Sequence, residues 1–446
     1  MPLSLSDKGI RRDAQRMTEI SQDGSISRRT LITGVFAGAA TGFLGLDLLG
    51  NSAMAAAKSV SLGTFRLTPT DRLSTKNFLT IAAKAGFDLK LNEIDHLILQ
   101  SHLTSYMQSS PDDVAEFGSG YRLQYAIAKG LVADISDVWA KVGYNFARNY
   151  KTSSTGSDSK PYLLPLARYP WAVMYRKSIF KAAGIEPSTI ITWLDFISAC
   201  KIFKSKGLTP IAMGDSSGWE ALGTFDFVNL RTNGYKFHRD LMSGRATWSN
   251  ERVQKTFRNW ESMLPYQNSN ALELDWAGAG RLVLQTKAAM QVMGSFHSQL
   301  YTDPNDLADL ALFPFPEISR AHHRASLVAP LDGFVIPKAA QKNISNAKSF
   351  LQWIGSIEFA AAFSAEAPTT LLANGNLPAS DSAFVRQLGA LVKSSKYFTQ
   401  SLDRDTRPDF AVTYVAPAMQ SFLKNPGDKK KIAANLATQW SGLPTL

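Results

Sequence analysis

Tyr162 to Gly234 reads YLLPLARYPWAVMYRKSIFKAAGIEPSTIITWLDFISACKIFKSKGLTPIAMGDSSGWEALGTFDFVNLRTNG, a run that holds a crossing strand, a helix start, a second strand and an aromatic loop. From Tyr169 to Tyr175 aromatic and small apolar residues alternate without a turn signal, the pattern of a buried strand in an α/β sheet. Pro170 has no N–H for a ladder, so the strand is expected to begin there. Beyond Gly184, Pro187-Ser-Thr-Ile-Ile-Thr192-Trp-Leu-Asp195 sets up a helix. Thr192 can accept from the second or third helical amide, and Asp195 favours the positive end. Trp193, Phe196, Ile197, Cys200 and Phe203 share one face as far as about Lys206, and Gly207 stops the helix. Leu208 to Met213 then reads as a short strand. Gly214-Asp-Ser-Ser-Gly-Trp219 is a polar loop beyond its carboxyl end, where open α/β sheets place ligands.

Four phrases carry a resemblance: Tyr169-Pro-Trp-Ala-Val-Met-Tyr-Arg-Lys177, Thr192-Trp193, Lys206-Gly-Leu-Thr-Pro-Ile-Ala212 and Gly223-Thr-Phe-Asp226. In order and spacing they resemble the carbohydrate-binding branch of the extracellular solute-binding proteins that serve ABC importers. The resemblance continues on both sides, from about Asp113 to the C-terminus. It implies an α/β protein with the two-lobe periplasmic-binding-protein fold of type II, hinged, with a ligand cleft between the lobes. It also implies two chain crossings far apart in sequence, and so discontinuous lobes of 57–166 with 333–382 and of 167–332 with 383–446. Such a protein binds a sugar or oligosaccharide outside the cytoplasm and delivers it to the transmembrane subunits of an ABC permease. That role needs no catalytic residue, metal or cofactor, and a monomer is expected.

Working outward, Ser59 to Leu67, Phe87 to Glu93 and Asp113 to Phe117 read as strands, with helices at Thr75 to Ala85 and His96 to Met107. This βαβ order predicts a parallel sheet covered by helices. Gly118-Ser-Gly120 lacks the further glycine or Lys-Ser of a phosphate loop. Lys151 to Lys160 is Ser-rich and reads as a surface loop. Helices are expected at Trp248 to Leu264, Trp276 to Thr286 and Ser345 to Phe363, with strands at Ala288 to Gly294, Leu310 to Phe315 and the return crossing Pro330 to Pro337.

The chain of 446 residues, 45% of them hydrophobic, is long enough for two lobes with a core each. Its net charge of +11 comes from scattered Lys and Arg, and the one run, Lys429-Lys430-Lys431, reads as a solvated surface rather than a nucleic-acid patch. Cys200 is the single cysteine, so no internal disulfide or cysteine-based metal site can form, and it reads as a small core residue. The six histidines show no metal-ligand spacing.

Residues 1–56 read as a twin-arginine export signal. Ser27-Arg28-Arg29-Thr-Leu-Ile32 leads into an apolar run to about Leu46, and Ala53-Met-Ala55 gives the small-x-small pattern before cleavage. A retained anchor is the alternative, against which Asp47 and the glycines argue. No cysteine lies near the cleavage point, so the mature chain is expected unlipidated in the periplasm or outside the cell.

Sugars offer hydroxyls, which suit planar bidentate partners, and C–H faces, which lie on aromatic rings, so a sugar cleft mixes both. Predicted strand ends bring together Phe117 with Tyr121 and Arg122, Tyr169 with Trp171, Trp219 with Asp226 and Asn229, and Phe296 with His297. Trp276, Asp332, Arg404 and Asp405 complete the ligand-binding candidates, and Trp219 and Phe117 are expected to stack on sugar rings from opposite lobes. Each has a plainer reading beside it. Trp171 can be core, Asp226 can cap a helix, and Arg404 and Arg407 can pair structurally with Asp403 or Asp405. Arg168 stands where the family carries a neutral residue. If it faces the cleft, an anionic sugar or sugar phosphate fits, with Glu116 as a neutralising partner; otherwise it is solvated at the lobe boundary. An exported glycoside hydrolase using Asp226, Asp332 or Asp403 is the rival reading, although no hydrolase motif such as HExxH or GxSxG is present.

Overall fold

The computed structural model describes residues 57–65, 69–94, 99, 102–109, 111–377 and 380–443. The export signal read at 1–56, and part of the helix read from His96, lie outside the described residues.

Two sheets organise the chain. In the first, β1 (Lys58–Thr64) pairs in parallel with β2 (Phe87–Glu93) and β3 (Val114–Gly118), and the helix Pro69–Lys84 makes the β1 to β2 crossover. β10 (Leu331–Val335) runs antiparallel to both β3 and β4 (Leu164–Arg168), and β11 (Leu371–Leu372) closes the order β11-β4-β10-β3-β1-β2. The expected all-parallel sheet is thus mixed. β4 carries the chain out to the second sheet and β10 brings it back, and an outgoing and a returning strand side by side must run in opposite senses.

The second sheet has the order β6-β7-β5-β8, from Thr209–Ala212, Ala288–Gly294, Trp171–Arg176 and Leu310–Phe313. Only β6 and β7 are parallel within it. β9 (Ser326–Val328) and β12 (Tyr397–Thr399) form a parallel pair of their own.

The helix Trp193–Ser205 shows why the local code works. Thr192 Oγ1 accepts from Asp195 N at 3.3 Å while Asp195 Oδ2 accepts from Thr192 N at 2.8 Å, a closed capping box. Phe196, Cys200 and Phe203 on one face are fully buried, and Gly207 takes the left-handed conformation (φ 76°) beyond the end. Burial pushes the Cys200 thiol up, in keeping with a core residue rather than a nucleophile.

Each sheet has its own core. Around the second sheet pack Trp171, Phe196, Phe225, Phe257 and Trp260, joined by the C-terminal helices Ala416–Lys424 and Lys429–Ser441 through Met419, Phe422 and Leu436. One face of the first sheet gathers Phe78, Phe334, Phe350, Phe359 and Phe363, and the other face gathers Phe117, Leu123, Leu131 and Leu163.

Three local expectations change. The single helix read over Ser345 to Phe363 is two, Ile344–Ile354 and Ile357–Glu366, because Ser356 restarts the chain by accepting from Phe359 N at 3.1 Å. The Ser-rich loop is partly helical, over Arg148–Ser153. The helix read over Trp248 to Leu264 is shorter, Glu251–Glu261, because Asn250 caps it through Arg252 N at 2.9 Å.

Candidate functional site

Five aromatic rings meet where the chain crosses between the sheets. Tyr169 and Trp171 flank Pro170, yet Tyr169 belongs to the core of the first sheet and Trp171 to that of the second. Backbone bonds fix the crossing on both sides: Tyr169 N donates to Pro330 O at 2.8 Å, and Ser295 N donates to Pro170 O at 2.9 Å. Phe296, just past the end of β7, packs against both cores. Its ring centroid lies 6.2 Å from Tyr169, 6.4 Å from Trp171, 6.1 Å from Trp219 and 5.0 Å from Trp276. Trp276 and Trp171 both stand edge-on to Phe296, an arrangement the ring quadrupoles favour by about 0.5–1.5 kcal/mol per pair beyond area burial. Two glycines make room. A Cβ on Gly223 would come within 2.2 Å of the Trp171 ring, and one on Gly294 within 2.3 Å of the Phe296 ring. Trp219 and Phe296 remain half-buried.

Beside the rings lies a network of charge. Asp332, at the start of β10, is opposite Gly118 and Ala167 in the first sheet. It accepts from Arg404 Nη1, and Arg404 in turn lies beside Gly118, where an added Cβ would meet its Cδ at 3.1 Å. Arg122 Nη2 donates to Asp403 O at 2.9 Å and to Asp403 Oδ2 at 3.1 Å. Burial lowers the Arg122 guanidinium to about 10, with Asp403 opposing the shift. Burial works against the Arg404 charge too, but Asp332 and Asp403 outweigh it and the group ends raised. Glu116 accepts from Thr64 Oγ1 at 2.6 Å and adds to the field on Arg404.

The candidates therefore divide. Tyr169, Trp171, Trp219, Trp276 and Phe296 come together, and Arg122, Asp332 and Arg404 form a second group near the same crossing strands. Tyr121, half-buried, opens the helix Tyr121–Ala128, and its amide donates to Asp405. Asp405 also accepts from Gln400 N at 2.8 Å, and burial pushes its carboxyl up to about 6.

Four further candidates lie in the interior. Phe117 lies in the apolar cluster beneath the helix Tyr121–Ala128. Side chains alternate along a strand, so once Glu116 reaches Thr64 and Arg404, Phe117 must point to the opposite face. Asp226 is fully buried and accepts from Leu402 N at 2.8 Å, which makes it a cap. Asn229 bonds His238 Nδ1 at 3.1 Å and Asn233 Nδ2 at 2.8 Å inside the second core. His297 lies between Gln291 Oε1 at 2.7 Å and Tyr301 Oη at 3.2 Å, and burial lowers it to about 3. The 3₁₀ turn Ser295–Leu300 sends consecutive side chains in different directions, leaving Phe296 at the crossing and His297 inside.

Arg168 is neither solvated nor facing a ligand space. It is buried between the Tyr150 ring at 5.3 Å and the Phe398 ring at 5.0 Å and donates to Ala329 O at 2.8 Å. Glu220, which the sequence reading passed over, touches two of these tryptophans. Its carboxylate accepts from Trp276 N at 3.1 Å and from Trp219 N at 3.3 Å, and its place in the first turn of the helix Glu220–Met242 was the available signal.

Comparison with known proteins places this geometry among relatives. A family model described as bacterial extracellular solute-binding protein matches residues 103–361. An uncharacterised ABC transporter extracellular-binding protein of Pyrococcus horikoshii is 26% identical over 287 residues, which is 62% of this chain and 60% of that protein. A probable sugar-binding periplasmic protein of Mesorhizobium japonicum is 28% identical over 197 residues, 42% of this chain and 46% of its own length. The matches thus span less than two thirds of these curated relatives. Among solved structures, the bacterial solute receptor AcbH superposes with a TM-score of 0.79 at 32% identity, covering 86% of this chain and 98% of that one. AcbH is described as having an exclusive substrate preference for β-D-galactopyranose. A chitin oligosaccharide binding protein has the same fold, with a TM-score of 0.77 at 19% identity over 86% of this chain and 98% of its own.

Proposed function

Because this chain belongs to the bacterial extracellular solute-binding proteins, we propose that it captures a sugar outside the cytoplasm and hands it to the transmembrane subunits of an ABC importer. The observation that carries the reading is the five-ring aromatic group at the crossing, with a guanidinium and carboxylate network beside it. Trp219 and Phe296 supply C–H-stacking surface, with Tyr169, Trp171 and Trp276 holding them in place. Tyr121, Arg122, Asp332 and Arg404 supply polar partners for hydroxyls. A hexopyranose is the first ligand to test, since AcbH, at 32% identity over nearly its whole length, prefers β-D-galactopyranose.

The mechanism is closure without chemistry. The lobes 57–166 with 333–382 and 167–332 with 383–446 close on the ligand, and contacts to both stabilise the closed form over the open one. No catalytic step, metal or cofactor is invoked, and the chain works as a monomer. The carboxylates a hydrolase would need are engaged otherwise: Asp226 with a backbone amide, Asp332 with Arg404 and Asp403 with Arg122. Export runs through the twin-arginine signal at 1–56, and the product carries no lipid.

A thermal-shift panel of D-galactose, other hexoses, chitin oligosaccharides, uronates and sugar phosphates tests this, with the recovered ligand checked by chromatography. Ligand that binds only the folded state raises the melting temperature. A rise with intact sugar is expected. Cleaved sugar, or no shift from any sugar, overturns the reading.

A further inference from the structure

Trp219 and Trp276 reach the aromatic group from different helices, so something must fix one relative to the other. Trp219 stands immediately before the helix Glu220–Met242, and Trp276 is the first residue of the helix Trp276–Leu284. Amides in such positions have no partner within their own helix. Glu220 accepts both, one on each carboxylate oxygen, at 3.3 Å and 3.1 Å. Its neighbour Asp215 accepts from Ala221 N at 2.8 Å and is hydrogen-bonded to the Glu220 carboxyl. Asp215 is itself held in place, its N donating to Ala271 O at 2.7 Å and its carbonyl accepting from Gln420 Nε2 at 2.7 Å.

Two carboxyl groups in hydrogen-bond contact share a proton, and here Glu220 holds it while Asp215 accepts. We propose that Glu220, bonded to Asp215, is the positioning residue that sets Trp219 against Trp276 and so shapes the sugar-binding group. The inference rests on the sugar-binding reading for its functional meaning, but its geometry does not depend on which sugar binds.

The electrostatics agree with a shared proton. Burial raises both carboxyls, Asp215 to about 7, and the Asp215 charge raises Glu220 further. Other titratable groups on the packed elements are spoken for. Asp275 accepts from Gly278 N at 2.6 Å, His297 is neutral and bonded to Gln291, and Glu273 is exposed. Loss of the Asp215 proton near neutral pH puts a charge against the Glu220 carboxyl and shifts the clamp on both tryptophans.

The test follows the tryptophans themselves. The protein is labelled with 5-fluorotryptophan, and its fluorine resonances are assigned with Trp219→Phe and Trp276→Phe. The pH is then taken from about 5 to about 9, the span over which a group raised to the neutral range loses its proton. In the unaltered protein both resonances are expected to move together. In Asp215→Asn, which has no proton to lose over this span, both are expected to stay at their acid positions, and in Glu220→Ala both are expected to be displaced at every pH. If only one resonance moves, or neither, or if Asp215→Asn titrates like the unaltered protein, the proposal is overturned. Calorimetry with D-galactose on the same samples separates the two ideas. Joint movement without galactose binding overturns the galactose reading alone, and galactose binding with fixed resonances overturns the positioning role alone.

Discussion

Arg404 meets Asp332 at the strand-end edge of the first sheet, its Nη1 donating to Asp332 Oδ1. Asp332 belongs to β10 of the first sheet, whereas Arg404 lies on the turn Leu402–Asp405, which the second core holds through Asp226 and Leu402 N. The pair is 12% and 7% exposed at the side chains, so neither charge has water to fall back on. Arg404→Met or Asp332→Ala alone is expected to cost about 3–5 kcal/mol, because each leaves a buried charge with fewer partners. The double variant is expected to recover most of that loss. Urea unfolding of the three proteins measures both, and single losses below about 1 kcal/mol would show that the pair is not structural.

Gly223 makes a prediction opposite in sign to helix propensity. Ala in place of Gly inside a helix ordinarily stabilises by about 1 kcal/mol. Here the new Cβ would stand 2.2 to 2.6 Å from three carbons of the Trp171 ring, which is 1% exposed and has nowhere to go. Gly223→Ala is therefore expected to destabilise by about 1–3 kcal/mol, the range for overpacking a core. Thermal unfolding reads the sign directly, and a stabilised variant would mean that Trp171 is free to move.

What was legible in the sequence was whatever depended on near neighbours. The capping box at Thr192 and Asp195, the strand after Pro170 and the left-handed stop at Gly207 all follow from residues within one turn of each other. The sense of β10 was not legible, because it depends on where the chain re-enters the first sheet. Candidate site residues divided on the same ground. Tyr169, Trp171 and Trp219 stand at a crossing and a loop end that local pattern marks. Phe117 and His297 were chosen as neighbours of strand ends, and a one-residue change of face put each of them inside. Glu220 was missed because its role is to hold two backbone amides, one of them 56 residues away.

Acid sensitivity should trace to two buried histidines. His238 lies 4.0 Å from Asp226, close enough for an ion pair were both charged. Burial instead lowers His238 to about 3 and raises Asp226 well above the usual carboxylate range, so the contact is between neutral groups. His297 is lowered to about 3 in the same way. Between pH about 6.5 and about 3 the unfolded chain binds a proton at each histidine that the folded chain does not, so stability rises with pH there and is lost on acidification. Asp226 acts in the opposite direction, since the folded chain keeps its proton at a pH where the unfolded chain has lost it. His238→Gln and His297→Gln are each expected to reduce the pH slope of stability below pH about 6.5 by about one proton. Urea midpoints between pH 4 and 7 provide the slope, and an unchanged slope in both variants would mean that neither histidine is neutral in the fold.

Trp219 and Phe117 look alike in sequence and should fail differently. Phe117 is 3% exposed among Leu123, Leu131 and Leu163, so Phe117→Ala leaves a cavity and is expected to cost about 3–5 kcal/mol of stability. Trp219 is half-buried, with its ring edge-on to Trp171 at 6.3 Å. Trp219→Ala is expected to lose less stability than Phe117→Ala, but to weaken binding of the best sugar from the thermal-shift panel by about 2 kcal/mol, roughly 30-fold. Calorimetric titration against that sugar, alongside urea unfolding, separates the two effects. Equal affinity losses in the two variants would mean that Trp219 acts through the fold, because a ring that touches the ligand must lower affinity by more than its loss of stability can explain.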